Sequence, residues 1–313
     1  MALTTTLDPA AFRLAGIDFT SAPRRAKPIT WAWGRQPAPG LVRLEQLEAL
    51  PSADAFASML ATPGPWLGAF DFPFGLPREL VETLGWPAHS WTASMDHVAT
   101  LDRPALVEAF SAFCDARPVG GKFAHRAGDS AAGCSPSMKW VNPPVAFMLH
   151  AGVPALRAAG VRVPGLSDGG LGTGTGSGIG SGSGSGTGIG TGSGVSAVTT
   201  AGDPARVALE GYPGLVAREL IGRRSYKSDT RAQQTPERLI ARKDLVDALE
   251  QGRWRGLRLK LTHGQRDALV DDAQGDRLDA VLCLMLAAWA QYRPGYGLPD
   301  FDPLEGWIVG AER

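Results

Sequence analysis

The sequence predicts an α/β fold, and three observations carry that prediction. Short apolar runs bounded by turns recur at 15–19, 29–33, 41–47, 65–71 and 205–210. Helical patterns separate or follow them, the last being the apolar stretch AVLCLMLAAWA at 280–290. Three of the runs stop at a carboxylate, Asp18, Asp71 and Glu210, and each acid is followed by a turn. In an open sheet covered by helices, sites form at the carboxyl ends of strands. There a carboxylate escapes the cost of lying unpaired inside an apolar strand.

In order along the chain, AGIDF (15–19) and ITWAW (29–33) read as strands, and LVRLEQL (41–47) alternates with period two as a third. SADAFASMLAT (52–62) reads as a helix capped by Ser52, with Ala55, Phe56, Met59 and Leu60 on one face. PWLGAFDFPFGLP (65–77) is a fourth strand ending near Asp71, and PRELVETLGW (77–86) opens a helix on proline. Residues 87–168 mix short helices and polar loops, one helix falling near 144–159, and read as an insert or cap. In 169–194, glycine takes 14 of 26 positions, so 169–200 reads as a flexible Gly/Ser/Thr-rich loop with too little to bury against its entropy cost. It lacks the Lys-Ser or Lys-Thr ending of a phosphate loop. ARVALE (205–210) is a fifth strand, followed by a short helix (215–222) and the basic loop RRSYKSDT (223–230). A helix over 236–252 is expected to bury Leu239, Ile240, Leu245, Val246 and Leu249.

The bulk composition narrows the classes. The chain has 313 residues, 44% apolar, with 31 cationic and 31 anionic side chains, so no global charge points to nucleic acid and any such signal is local. Cys114, Cys134 and Cys283 show neither disulfide nor metal spacing and read as reduced thiols, Cys283 in the core. The opening MALTTTLDPAAFRL has no apolar signal core, and the longest apolar run is too short for a membrane span. A cytoplasmic protein with no membrane partner is the expectation. The stretch GGKFAHRAGD (120–129), with Lys122, His125 and Arg126, reads as a surface loop, and SPSMKWVNPP (135–144) as a turn packing Trp140. Ser21 has no His–Asp partner pattern that would make it a nucleophile.

The acids form the most specific pattern. Asp276 and Asp279, three apart at the start of the last helix, share one face. Gly275 just before them would place Asp276 in the first turn, where the helix dipole favours it. A lone acid at a strand end commonly caps a turn. Several together with a helix pair point to a divalent cation, and an all-oxygen donor set without histidine or cysteine suits Mg²⁺ or Mn²⁺. Asp271 and Asp272 fall in the preceding loop.

At these residues the sequence resembles ribonuclease H-like proteins: a strand ending in Asp, a later strand ending in a carboxylate, and a terminal helix opening D-x-x-D-A. DRLDAVLCLMLAA is similar to the corresponding helix of RuvC-type Holliday-junction resolvases. More closely, GIDFTSAPRRAKPI, DFPFGLP, EGYPG, RSYKSD, GDRLDAVLCLMLAAW and LEGWI resemble the family catalogued as domain of unknown function 429, described as predicted nucleases of ribonuclease H fold. The resemblance runs from about residue 15 to 309. It implies a mixed five-stranded sheet in order 3-2-1-4-5, built from 12–86 and 201–313 around a large insert. It implies Asp18 as the first-strand metal ligand, Asp71 or Glu210 as the second, and Asp276 and Asp279 as the helix pair. Asp71 falls where the resolvases keep their acid, Glu210 where YqgF-type relatives keep one.

The activity implied by the resemblance is that of a metal-dependent nuclease, which hydrolyses phosphodiesters with two cations, Asp18 bridging them. Arg24, Arg25 and Lys27 in the turn after Asp18, and Arg224 and Lys227 after Glu210, would hold the nucleic-acid backbone, with Tyr226 free to stack on a base. Two alternatives stand beside it. One is a non-catalytic nucleic-acid-binding or scaffold protein on the same fold. The other is a nucleotide-binding phosphotransferase, disfavoured because DFTSAPRRAKP carries no glycine for phosphate.

Overall fold

All five apolar runs are strands of one sheet in the computed structural model, which describes residues 8–167 and 203–312. The expected sheet of five has two further members, so that seven strands run β1 (Arg13–Asp18), β2 (Ile29–Ala38), β3 (Leu41–Leu50), β4 (Trp66–Phe70), β5 (Val161–Arg162), β6 (Asp203–Glu210) and β7 (Arg258–Lys260). Their order is β5-β6-β4-β1-β2-β3-β7. The meander β1-β2-β3 is antiparallel, while β4 joins β1, β6 joins β4, and both short edge strands join their neighbours in parallel. The stretch read as a flexible loop, 169–200, lies outside the described residues.

Period-two alternation divides the strands between two cores. Leu14 of β1, Leu67 and Ala69 of β4, and Val207 and Leu209 of β6 face one side. Ala15, Ile17, Trp66, Phe70 and Ala208 face the other. The first side is covered by α7 (Pro213–Ile221), α8 (Pro236–Glu250), α9 (His263–Asp271) and α10 (Asp276–Gln291). The second is covered by α1 (Ala53–Leu60), α2 (Arg78–Thr83), α3 (Trp91–Thr100), α4 (Arg103–Asp115) and α6 (Val145–Ala158), while the short α5 (Ala127–Ala132) lies among them in sequence. The region read as an insert thus supplies most of one layer of the sandwich, and its β5 extends the sheet.

α10 sits against β1, β2 and β4 on one side and α7 and α9 on the other. An all-round apolar helix belongs in such a place, and all its residues but Arg277 and Trp289 are buried, Cys283 among them. Gly16 admits it: a Cβ there would lie 2.0 Å from Ala280 O and 2.1 Å from Leu284 N, both backbone atoms. Gly16→Ala is therefore expected to destabilise the fold by about 3 kcal/mol, the upper end of overpacking costs, seen as a melting temperature lower by roughly 6–10 °C. An unchanged melting temperature would mean that α10 does not approach β1 this closely.

On α8, Leu245, Val246 and Leu249 are buried as the periodicity indicated, but Ile240 is 53% exposed. The buried stripe instead takes in Ala241, Arg242 and Ala248, one helical position round from Ile240. Among the described residues no helix is long and apolar enough to cross a membrane.

Candidate metal centre

Strand register decides which acids meet. Ile17 of β1 pairs with Phe70 of β4, and Phe70 with Glu210 of β6. Residues paired in register share a face, so these three line the side away from α10. The next residues, Asp18 and Asp71, face α10, and Asp71 N donates to Ile17 O at 2.9 Å. The residue level with them beyond β6 is Gly211, whose notional Cβ points at Cys283 Sγ of α10. Asp279 in the first turn of α10 completes a trio: Asp18, Asp71 and Asp279 each offer an oxygen within 4.8 Å of the others.

Glu210 stands outside that trio, because it ends its strand one residue short. Its carboxylate accepts from Arg126 Nη2 at 2.5 Å, from Arg126 Nη1 at 2.8 Å and from Phe74 N at 2.9 Å. Arg126 also binds Asp129, Nη2 to Oδ1 at 2.7 Å. Arg126 is 1% exposed. That corrects the surface-loop reading of this stretch, although Lys122 and His125 before Arg126 are exposed. Two buried counter-ions hold the arginine inside, Asp129 three residues on and Glu210 84 residues away in sequence.

Asp276 stays outside the trio as well. Lys27 Nζ donates to its Oδ1 at 2.8 Å and to Asp229 Oδ1 at 2.7 Å. Asp279, fully buried, accepts from Tyr226 OH at 2.5 Å and from the ammonium of Lys227. Tyr226 is only 7% exposed, so it is not free to stack on a base. Arg224 pairs with Asp244 at 2.6 Å. Arg24 and Arg25 are exposed. Arg25 lines a cleft of about 770 Å³ that borders the site through Thr30, the register partner of Asp18, and Asp276. Arg277 and the acids Glu48, Asp271 and Asp272 line it too.

Among the described residues no hydrogen-bond donor reaches the carboxylates of Asp18 or Asp71, in contrast to Asp279. Burial, then Asp279 and Asp276, push Asp18 well above the usual carboxylate range, against the opposing charge of Lys227. Burial and Asp279, with a smaller push from Glu210, raise Asp71 to about 7, Lys227 again opposing. Burial works against the charge of Lys227 itself, yet Asp279, Asp18 and Asp71 together raise its pKa. Two donor-less carboxylates crowded against a third make a hard, all-oxygen set, which fits Mg²⁺ or Mn²⁺.

The raised pKa of Asp71 has a definite sign. Its folded value lies above its unfolded one, so the fold disfavours the charged form, and stability is lost as pH rises from about 4 through 7. Asp71→Asn is therefore expected to stabilise the protein in EDTA at pH 8 by about 2 kcal/mol, discounted for partial exposure. The gain should fade as pH falls toward 5, as read by thermal melts across that range. A gain independent of pH would contradict the crowding of these acids.

No protein-family model matches the chain, and comparisons with curated proteins and with solved structures return no significant match.

Proposed function

We propose that this chain is a divalent-cation-dependent nuclease on a ribonuclease H-like core. The observation that carries the reading is the meeting of Asp18, Asp71 and Asp279 within 4.8 Å at the strand tips beside the first turn of α10. The contiguous run β3-β2-β1-β4-β6 supports the fold assignment, with β5 and β7 as edge additions. Asp71, rather than Glu210, fills the second acid position in this reading.

Asp18, Asp71 and Asp279 would hold Mg²⁺ or Mn²⁺, which when bound polarises a phosphodiester oxygen and lowers the pKa of a water nucleophile. Tyr226 fixes the orientation of Asp279 through its hydroxyl. Lys227 brings a positive charge to the same carboxylate. Arg25 and Arg277 in the neighbouring cleft suit backbone phosphates, positioning a polyanion without reading its sequence. The acids in that cleft oppose a uniformly anionic ligand, so the phosphates should follow the arginines.

The test is cleavage of branched, double-stranded and single-stranded DNA and RNA with Mn²⁺ and with EDTA. Cleavage that appears with Mn²⁺ and vanishes with EDTA is expected. The contacts of Tyr226 and Lys227 on Asp279 also suit a non-catalytic scaffold. That second reading is the one left standing if none of these substrates is cleaved in a metal-dependent way.

A further inference from the structure

Each acid of the D-x-x-D pair at the start of α10 carries its own lysine. Asp276 is held by Lys27 at 2.8 Å, and Asp279 by Lys227. The strand-tip acids Asp18 and Asp71 have no such partner among the described residues. We propose that the centre takes one divalent cation rather than two, the ammonium of Lys227 supplying the second positive charge. This rests on the metal-centre reading and specifies it.

Charge supports one ion. Three carboxylates offset by one ammonium leave two negative charges, which a single divalent cation cancels. Asp276, the acid that would have to help hold a second ion, is committed to Lys27, which is itself anchored by Asp229 at 2.7 Å. The seat of Lys227 is built. Gly275, at φ +81° before α10, leaves room for its stem: a Cβ on Gly275 would lie 2.7 Å from Lys227 Cβ. On one side of Lys227, Arg242 Nη1 holds Tyr226 O at 2.8 Å. On the other, Ser228 N donates to Ala273 O at 3.1 Å. A lysine fixed by its neighbours on both sides and laid across a helix start is a standing part of the site. It is not a flexible surface cation that happens to touch an acid.

The experiment counts ions. Full-length wild type, Lys227→Arg and Lys227→Met are titrated with Mn²⁺, with bound and free ion followed by electron paramagnetic resonance. Wild type and Lys227→Arg should bind one equivalent with the spectrum of an isolated ion. Lys227→Met leaves three carboxylate charges facing the ion while Lys27 still holds Asp276, so it should keep one equivalent and bind it about fivefold or more tightly. Two coupled equivalents in wild type would overturn the proposal. So would a Lys227→Met protein that stays at one equivalent with affinity within about twofold of wild type. No bound Mn²⁺ in any of the three would remove the metal centre itself, and this proposal with it, an outcome distinct from the other two.

Discussion

If the proposed nuclease activity holds, Asp18→Asn is expected to lower metal-dependent cleavage on the order of a thousandfold, about 4 kcal/mol of transition-state stabilisation, without lowering the melting temperature in EDTA. The two halves of this expectation have one cause. Asp18 lies among Asp71, Asp279 and Asp276, whose charges together with burial disfavour its own ionised form. With no cation in place, a neutral amide relieves that repulsion. With a cation, the loss removes one of three oxygens from the set. A structural acid would behave in the opposite way: its loss would destabilise the protein and leave chemistry alone. Cleavage rates and melting curves on the same preparations separate the two, and cleavage within tenfold of wild type would contradict the assignment.

Arg126→Met is expected to destabilise the protein by about 3–5 kcal/mol, the cost of leaving buried acids without their counter-ion. Glu210 and Asp129 would both lose their partner at once. The effect should extend to the metal centre. Glu210 Oε2 accepts from Phe74 N, and Phe74 belongs to the turn after Asp71. Adding Glu210→Gln to Arg126→Met should recover part of the loss, since one uncompensated charge disappears. Thermal melts of the single and double variants measure both effects. A single variant melting within about 2 °C of wild type would show that the network contributes little.

The range of each interaction decides how much of the fold and the site is legible in the sequence. Asp18 and Asp71 are legible because a strand tip is a local pattern, an apolar run stopped by an acid and a turn. Asp279 is legible because its spacing from Asp276 is a helical one. Glu210 shows the same local pattern as Asp71, yet it faces the other core. The difference is one residue of register between β4 and β6, a property of strand pairing that neither strand carries alone. Tyr226 and Lys227 read as ligands for a polyanion because a basic loop is normally solvated. Their true partner, Asp279, lies more than fifty residues further along. β5 and β7, of two and three residues, are too short to show a period at all. Arg126 is invisible for a related reason, since a buried cation has no sequence signal apart from the acids that fold around it.

The most direct measurement is Mn²⁺ binding by calorimetry, wild type against Asp18→Asn, with each protein first stripped of metal. If Asp18, Asp71 and Asp279 form a cation centre, wild type should bind Mn²⁺ in the micromolar-to-millimolar range usual for carboxylate sites, and the variant should lose at least tenfold in affinity. Equal binding by both proteins, or none by either, would contradict the metal centre.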